Sequence, residues 1–365
     1  MLNIQCILQR GLEATFITQE LYDFLLQKNP RTPVIYTLPK IHKDPISPPG
    51  RPIVSAIGGA LEPIAKWLDH LFKQPVEELP TCIKDTPSLL KSLQQFTGLE
   101  PDITFITCDV KSLYTIIPHD MGINAMRRIL ASSTSYTGPP IEYIMELLHL
   151  VLSQNYFRFE QTRYKQIAGT SMGAAMAPMY ANSYMYIFEQ EQILIPFHDS
   201  ILFYRRFIDD IFIIWKNVGP TPDEMLNTIN SLDTPVRLTM TTSDKQIDFL
   251  DVRLYREDDK IAYTLFSKPT DRNTLLHAKS HHPKHHIRSL PQSQFMRVIR
   301  NNSNIINTQL QLQIMWDKFL SRGYHSRDLT KALDRCYEVP VHNTAKNDRL
   351  VFPITYTTIS DDIKR

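Results

Sequence analysis

Two places in this sequence put acidic side chains at the end of apolar runs. Residues 103–108 (ITFITC) are β-branched and aromatic and predict a short buried strand ending at Asp109. Residues 201–215 (ILFYRRFIDDIFIIW) predict two apolar strands that meet at Asp209-Asp210, the pattern of a β-hairpin. Carboxylates beside buried strand residues are costly unless they are paired or bind a cation. Were the two elements neighbours in one sheet, the three acids would form a hard oxygen site suited to Mg²⁺, which takes its remaining ligands from water and substrate phosphates. Two such ions about 4 Å apart stabilise the attacking and leaving oxygens of an in-line phosphoryl transfer. An Asp pair at a hairpin tip is also ordinary turn chemistry, so the weight falls on what accompanies it.

The elements that must hold these acids can be read in outline. Thr18 caps a helix over 18–28, and 30–59 is Pro-rich and basic, predicting short strands joined by loops. Amphipathic helices are predicted from Leu61 to Phe72 and from Pro87 to Phe96. Asp120 opens another helix through Leu130, and 141–153 is helical. Residues 166–188 carry no charge and have helix character from Ala174 onward. Residues 247–255 and 261–266 predict a second hairpin, and the chain beyond 270 is mostly helical.

The chain has 365 residues, room for two or three subdomains around a large core. A net charge of +2 does not by itself announce a nucleic-acid binder, but local charge does more. From Arg272 to Trp316 there is no Asp or Glu, while Lys279, Lys284, Arg288, Arg297 and Arg300 all fall there, with five histidines. Such a block suits a polyanion. The histidines show no ligand spacing and are assigned to nucleic acid or solvent. Cys6, Cys82, Cys108 and Cys336 form no CxxC pair, so neither a zinc site nor a disulfide framework is expected. No apolar run approaches the roughly 20 residues of a membrane span. The start lacks a signal-peptide pattern, so an intracellular protein, nuclear or cytoplasmic, is expected.

Several longer strings resemble reverse transcriptases. Phe105-Ile-Thr-Cys-Asp109-Val-Lys-Ser-Leu-Tyr114 looks like polymerase motif A, Gly169-Thr-Ser-Met-Gly173-Ala-Ala-Met-Ala-Pro178 like motif B, and Phe207-Ile-Asp209-Asp210 like motif C. Leu38–Lys43 and Arg51–Ser55 resemble the two fingers motifs, and Phe249-Leu250-Asp251 the primer grip. The wording of LPKIHK, PGRPIVS, CDVKSLYTIIP, GTSMGAAMAP, IDFLDV and the stretch from Lys268 to Arg300 is similar to Penelope-like retroelement enzymes in particular.

That resemblance implies an α+β right-hand polymerase: fingers, an antiparallel-sheet palm and a helical thumb. It implies an N-terminal helical extension at 1–29, fingers and palm at 30–265, a thumb at 266–340 and an irregular tail at 341–365. It implies RNA-directed DNA synthesis with an RNA template, a DNA primer and dNTPs. Two Mg²⁺ ions, with Mn²⁺ as a substitute, would be held by Asp109, Val110, Asp209 and Asp210. Tyr114 would sit under the incoming sugar and exclude a ribose 2′-OH. Arg51, Lys40 and Lys43 would hold the triphosphate, and Gly169, Thr170 and Gly173 would approach the nascent base pair. Lys245 would serve as a general acid. Phe249, Leu250, Lys279, Lys284, Arg288 and Arg297 would touch nucleic acid. The GIY-YIG endonuclease of many Penelope-like proteins has no counterpart here, so a polymerase core alone is expected. A catalytically dead binding relic and a telomerase-like or group II intron-like polymerase are the alternatives.

Overall fold

The structure is a computed structural model and describes residues 2–41, 44, 46–97, 99–268 and 271–338. Lys43 and the tail from 341 lie outside the described residues. The chain divides into two compact units, one of Met1–Phe249 with Tyr255–Ile261, the other of Leu250–Leu254 with Ala262–Arg365.

The first unit opens with α1 (Leu2–Glu13) and α2 (Gln19–Leu25). The Thr18 hydroxyl caps α2, accepting from the Leu21 N–H at 3.2 Å. Strands β1 (Val34–Pro39) and β2 (Gly50–Ser55) follow, then α3 (Glu62–Glu77) and α4 (Thr86–Gln95). Helix α3 runs one turn further than its sequence predicts, straight through Pro75. Its buried stripe of Ile64, Ala65, Leu68 and Phe72 continues to Val76, and that packing outweighs the lost backbone bond. Next come β3 (Ile103–Val110), α5 (Leu113–Ile116), α6 (His119–Ser132), α7 (Ile141–Ser153), β4 (Tyr156–Phe159), β5 (Thr162–Lys165) and α8 (Ala177–Glu189). A π-helical stretch, Gln190–Leu194, extends α8. The unit is completed by β6 (Ile201–Phe207), β7 (Asp210–Lys216), α9 (Pro222–Ser231), β8 (Leu238–Ser243) and β9 (Gln246–Phe249).

Two four-stranded sheets organise this unit. One, the expected palm, has the order β6-β7-β3-β8, with every neighbouring pair antiparallel. Its strand β7 is covered on both faces, and Ile211 to Trp215 are essentially inaccessible to water. That explains an unbroken apolar run where a half-exposed strand would alternate. Helices α3, α6, α7 and α8 contribute Leu68, Met126, Leu147 and Met185 to the same core. The other sheet, order β2-β1-β4-β5, is largely exposed. Its β4–β5 hairpin is absent from the sequence-based expectation, because 156–165 carries polar and aromatic residues on both faces and so shows no burial pattern.

The predicted strand over 247–255 is in fact two. Leu250 takes a left-handed backbone, φ +52°, and turns the chain between β9 and β10 (Val252–Glu257), which pairs with β11 (Lys260–Leu265). The second unit then carries α10 (Lys284–Arg300), α11 (Ile305–Leu320) and α12 (Ser326–Tyr337) around Phe295, Val298, Phe319 and Leu329. Residues 271–283 form no helix, although the chain beyond 270 reads as helical; Pro283 ends this stretch, immediately before α10.

Candidate active site

The register of the palm brings the distant acids together. Asp109 on β3 lies directly opposite Asp210 on β7. Directly opposed residues project to one face with Cβ atoms about 5 Å apart. Asp209 occupies the two-residue turn between β6 and β7, and its carbonyl accepts the Val110 N–H at 3.0 Å. Burial raises the Asp209 carboxyl above its ordinary range, and the negative charge of Asp109 adds to that; Arg51 and Lys40 pull the other way. A buried carboxylate whose protonation a second carboxylate favours sits in a site that gains from a divalent cation. The donors also suit the ion, since Mg²⁺ takes one or two carboxylates with water and phosphate oxygens completing its shell. Among the described residues no three His, Cys, Asp or Glu side chains stand gathered as a ready metal cage. Asp109, Asp209 and Asp210 therefore remain candidates for the role, with Val110 beside them.

The turn that presents Asp209 is strained. Ile208 has φ +54°, a left-handed conformation that a β-branched residue adopts only at a cost of about 1–3 kcal/mol. The surroundings hold it there. Arg206, fully buried in β6, donates Nη1 to the Ile208 carbonyl at 3.0 Å and to Asn182 Oδ1 at 2.7 Å. Its Nε reaches Glu189 Oε2 at 2.6 Å, its Nη2 the Asn182 carbonyl at 3.1 Å and Cys82 Sγ at 3.3 Å. Glu189 is also fully buried and accepts from the hydroxyls of Thr81 and of Tyr204, the latter at 3.0 Å. Burial alone would lower the Arg206 guanidinium, but Glu189 more than reverses it, so the guanidinium stays charged. Sequence reading missed this clamp. The available signal was two opposite charges, Glu189 and Arg206, each set in a long apolar run.

Tyr114 lies in α5 just after the β3 acid. Burial pushes its phenol up to about 12, Asp209 adds to the rise and Arg51 opposes it, so Tyr114, Arg51 and Asp209 share one field. The expected glycines have a different neighbour from the one their motif suggests. At Gly169, φ +68°, an added Cβ would overlap the backbone of Tyr114 and Thr115, and the Thr170 N–H donates to the Tyr114 carbonyl at 2.6 Å. At Gly173 it would overlap the Val54 carbonyl oxygen. Both glycines thus let protein backbones close on each other; Gly173 joins the segment before α8 to β2. Thr170 is buried.

The expected nucleic-acid contacts fall in different surroundings. Phe249 is buried against Phe212, ring centroids 5.5 Å apart, so its side chain faces the core. Arg297 is engaged by Asp251 at 3.1 Å. Lys279, Lys284 and Arg288 line one hollow of the second unit together with Lys331 and Arg335, two cations that the sequence reading did not select. Lys245 is exposed in the β8–β9 turn, its N–H 3.3 Å from Ser243 Oγ.

Residues 274–334 match the model of the animal helix-turn-helix domain. No curated protein matches the sequence. The structure is similar to telomerase from Candida albicans in complex with a TWJ fragment of telomeric RNA, with a TM-score of 0.58 at 10% identity over 88% of this chain and 60% of that one. It is similar to apo telomerase from Candida tropicalis, TM-score 0.51 at 11% identity, over 84% of this chain and 59% of that one. The Sicinivirus 3Dpol RNA-dependent RNA polymerase matches with a TM-score of 0.53 at 12% identity, over 87% of this chain and 71% of that one. The chain therefore spans about three fifths of the length of the telomerases it matches. At these identities the likeness is one of fold, the α+β right hand of nucleic-acid polymerases. Among the described residues no helix is long and apolar enough to cross a membrane.

Proposed function

We propose that the chain is an RNA-directed DNA polymerase of the Penelope-like type, extending a primer 3′-OH with dNTPs on an RNA template. The observation that carries this is the β3–β7 register, which sets Asp109 opposite Asp210 beside a strained turn bearing Asp209. Asp109, Asp209 and Asp210, with the Val110 carbonyl, would hold two Mg²⁺ ions. When bound, such ions stabilise the attacking and leaving oxygens of phosphoryl transfer.

The chain's own residues do the rest. Arg51 offers a planar fork to phosphate oxygens, and Lys40 adds a point charge. Both lower the Asp209 carboxyl against the rise that burial causes, which supports that role. The Tyr114 ring would fill the space that a ribose 2′-OH needs, and its burial beside the field of Asp209 supports that role. The Arg206–Glu189 pair keeps the turn from relaxing away from β3. The motif strings around these residues support the Penelope-like assignment; the fold likeness alone is equally compatible with a telomerase-like enzyme.

Primer extension with the purified chain, an RNA template, dNTPs and Mg²⁺ tests the reading. Incorporation is expected, and Asp109→Asn should lower it by at least about a thousandfold while duplex binding persists. A folded wild-type protein that incorporates nothing across a range of salt overturns it. A preference for chromosome-end primers over nicked duplex would favour the telomerase-like variant.

A further inference from the structure

Five cations of the second unit close around one hollow of about 600 Å³. Lys279 comes from the segment before α10, Lys284 and Arg288 from α10, and Lys331 and Arg335 from α12. Each helix thus carries two like charges at i and i+4, a spacing that sets them side by side and opposes the helix. The two helices pack on each other, so both pairs share the hollow. All five side chains are exposed, and none forms an ion pair with a described residue. Other cations of the unit are matched, Arg297 by Asp251 and Lys318 by Asp271. Among the described lining residues Asp328 is the one acid, and it sits in the first turn of α12, where the positive end of the helix favours it.

The rest of the lining also suits an oxygen-rich occupant. Pro291, Tyr324 and Ala332 line the hollow and are buried. Tyr324 is only 7% exposed, and its hydroxyl has no hydrogen-bond partner among the described residues. Buried polar groups are nearly always paired, so a ligand oxygen accepting from this hydroxyl would remove an anomaly. His325, the N-cap of α12, lines the hollow too and makes no side-chain cap, so the amide-rich end of this twelve-residue helix borders it. The volume falls in the range of small-molecule sites, about 300–1,000 Å³. A nucleic acid strings its charges along an axis, about one per 3.4 Å on each strand. These cations instead converge from three segments on one place, which matches a ligand whose charges are gathered.

We propose that the hollow binds a compact polyphosphate, a small molecule carrying several phosphates close together, held by Lys279, Lys284, Arg288, Lys331 and Arg335. Filling it would tie the segment before α10 to both helices and relieve the repulsion among the five cations. The site goes beyond the polymerase reading and does not rest on it.

Isothermal titration calorimetry of the full chain at fixed ionic strength tests this, with inositol hexakisphosphate and sodium tripolyphosphate as probes. One saturable site per chain is expected, and the tighter probe, ring or chain, identifies the shape of the ligand. Lys331→Gln with Arg335→Gln should weaken binding about a hundredfold, since each lost charge-assisted contact is worth roughly tenfold. Exposed substitutions of this kind leave the fold intact, and unchanged melting of the unliganded variant checks that. Arg272→Gln removes an exposed charge that does not line the hollow, and should change affinity by less than about twofold. Tyr324→Phe should weaken binding about fivefold if its hydroxyl donates to the ligand. A wild-type chain that binds neither probe overturns the site, as does an Arg272→Gln loss equal to that of the double change. So does displacement of the probe by a blunt RNA–DNA duplex, which would make the cations part of a nucleic-acid track. Probe binding without primer extension sinks the polymerase reading and leaves the hollow standing; primer extension without probe binding does the reverse.

Discussion

The two four-stranded sheets of the first unit use opposite physics. In β6-β7-β3-β8 the polar groups that matter are held by other protein atoms: Arg206 by Glu189 and Asn182, and the Val110 N–H by the Asp209 carbonyl. In β2-β1-β4-β5 the polar groups stand in water, and its strands carry almost no buried side chain beyond Val54. The first sheet fixes where a reaction would occur. The second leaves its charges solvated. A change in the first should therefore disturb folding, and a change in the second should leave the fold as it is.

The sharpest way to break that contrast is to remove one partner of the buried pair. Arg206→Met leaves Glu189 charged and unpaired, which costs about 3–5 kcal/mol. For a chain of this size that should lower Tm by about 5 °C in calorimetry. A variant as stable as wild type would mean that the clamp holds nothing. Gly173→Ala comes next: its Cβ has no room against the Val54 carbonyl, and overpacking of this kind costs about 1–3 kcal/mol, readable in urea unfolding.

A smaller effect has a definite sign. Asp209 keeps its proton to a higher pH in the folded chain than its ordinary value of 3.8 allows. Its contribution to stability is thus present below 3.8 and declines as pH rises through the folded value, so the ionised group opposes folding at neutral pH. Asp209→Asn should raise Tm at pH 7, and the gain should vanish at pH values below the ordinary one. A lower Tm at pH 7 would show that the carboxylate is favourably paired. Last, Arg158→Gln on the exposed sheet should move stability by no more than about 0.5 kcal/mol. A loss of several times that would place Arg158 inside the fold's own framework.

The same contrast explains what the sequence disclosed. Strand β3 with Asp109 and the hairpin with Asp209-Asp210 were legible because burial on both faces writes an unbroken apolar run. Helix α7 was legible to the residue, Ile141–Ser153, for the same reason. The β4–β5 hairpin was not, since a sheet solvated on both faces leaves no periodic trace. Arg206 drew no reading: its partner Glu189 lies 17 residues away on another element and meets it only once the chain is folded. Leu250 was hidden because a left-handed residue that is not glycine leaves no mark in composition. Phe249 was placed at a ligand by motif, whereas its partner Phe212 lies on another strand and becomes visible only with the tertiary structure.

The unusual backbone of Ile208 makes the acidic tip non-portable. A hairpin cut out as a peptide, or grafted onto another scaffold with its two aspartates alone, would relax to an easier turn and swing the second carboxylate out of register. Anyone transplanting the tip must carry Arg206, Asn182 and Glu189 with it, three residues spread over 25 positions of sequence. Inheritance faces the same requirement: the tip and its anchors can drift only together.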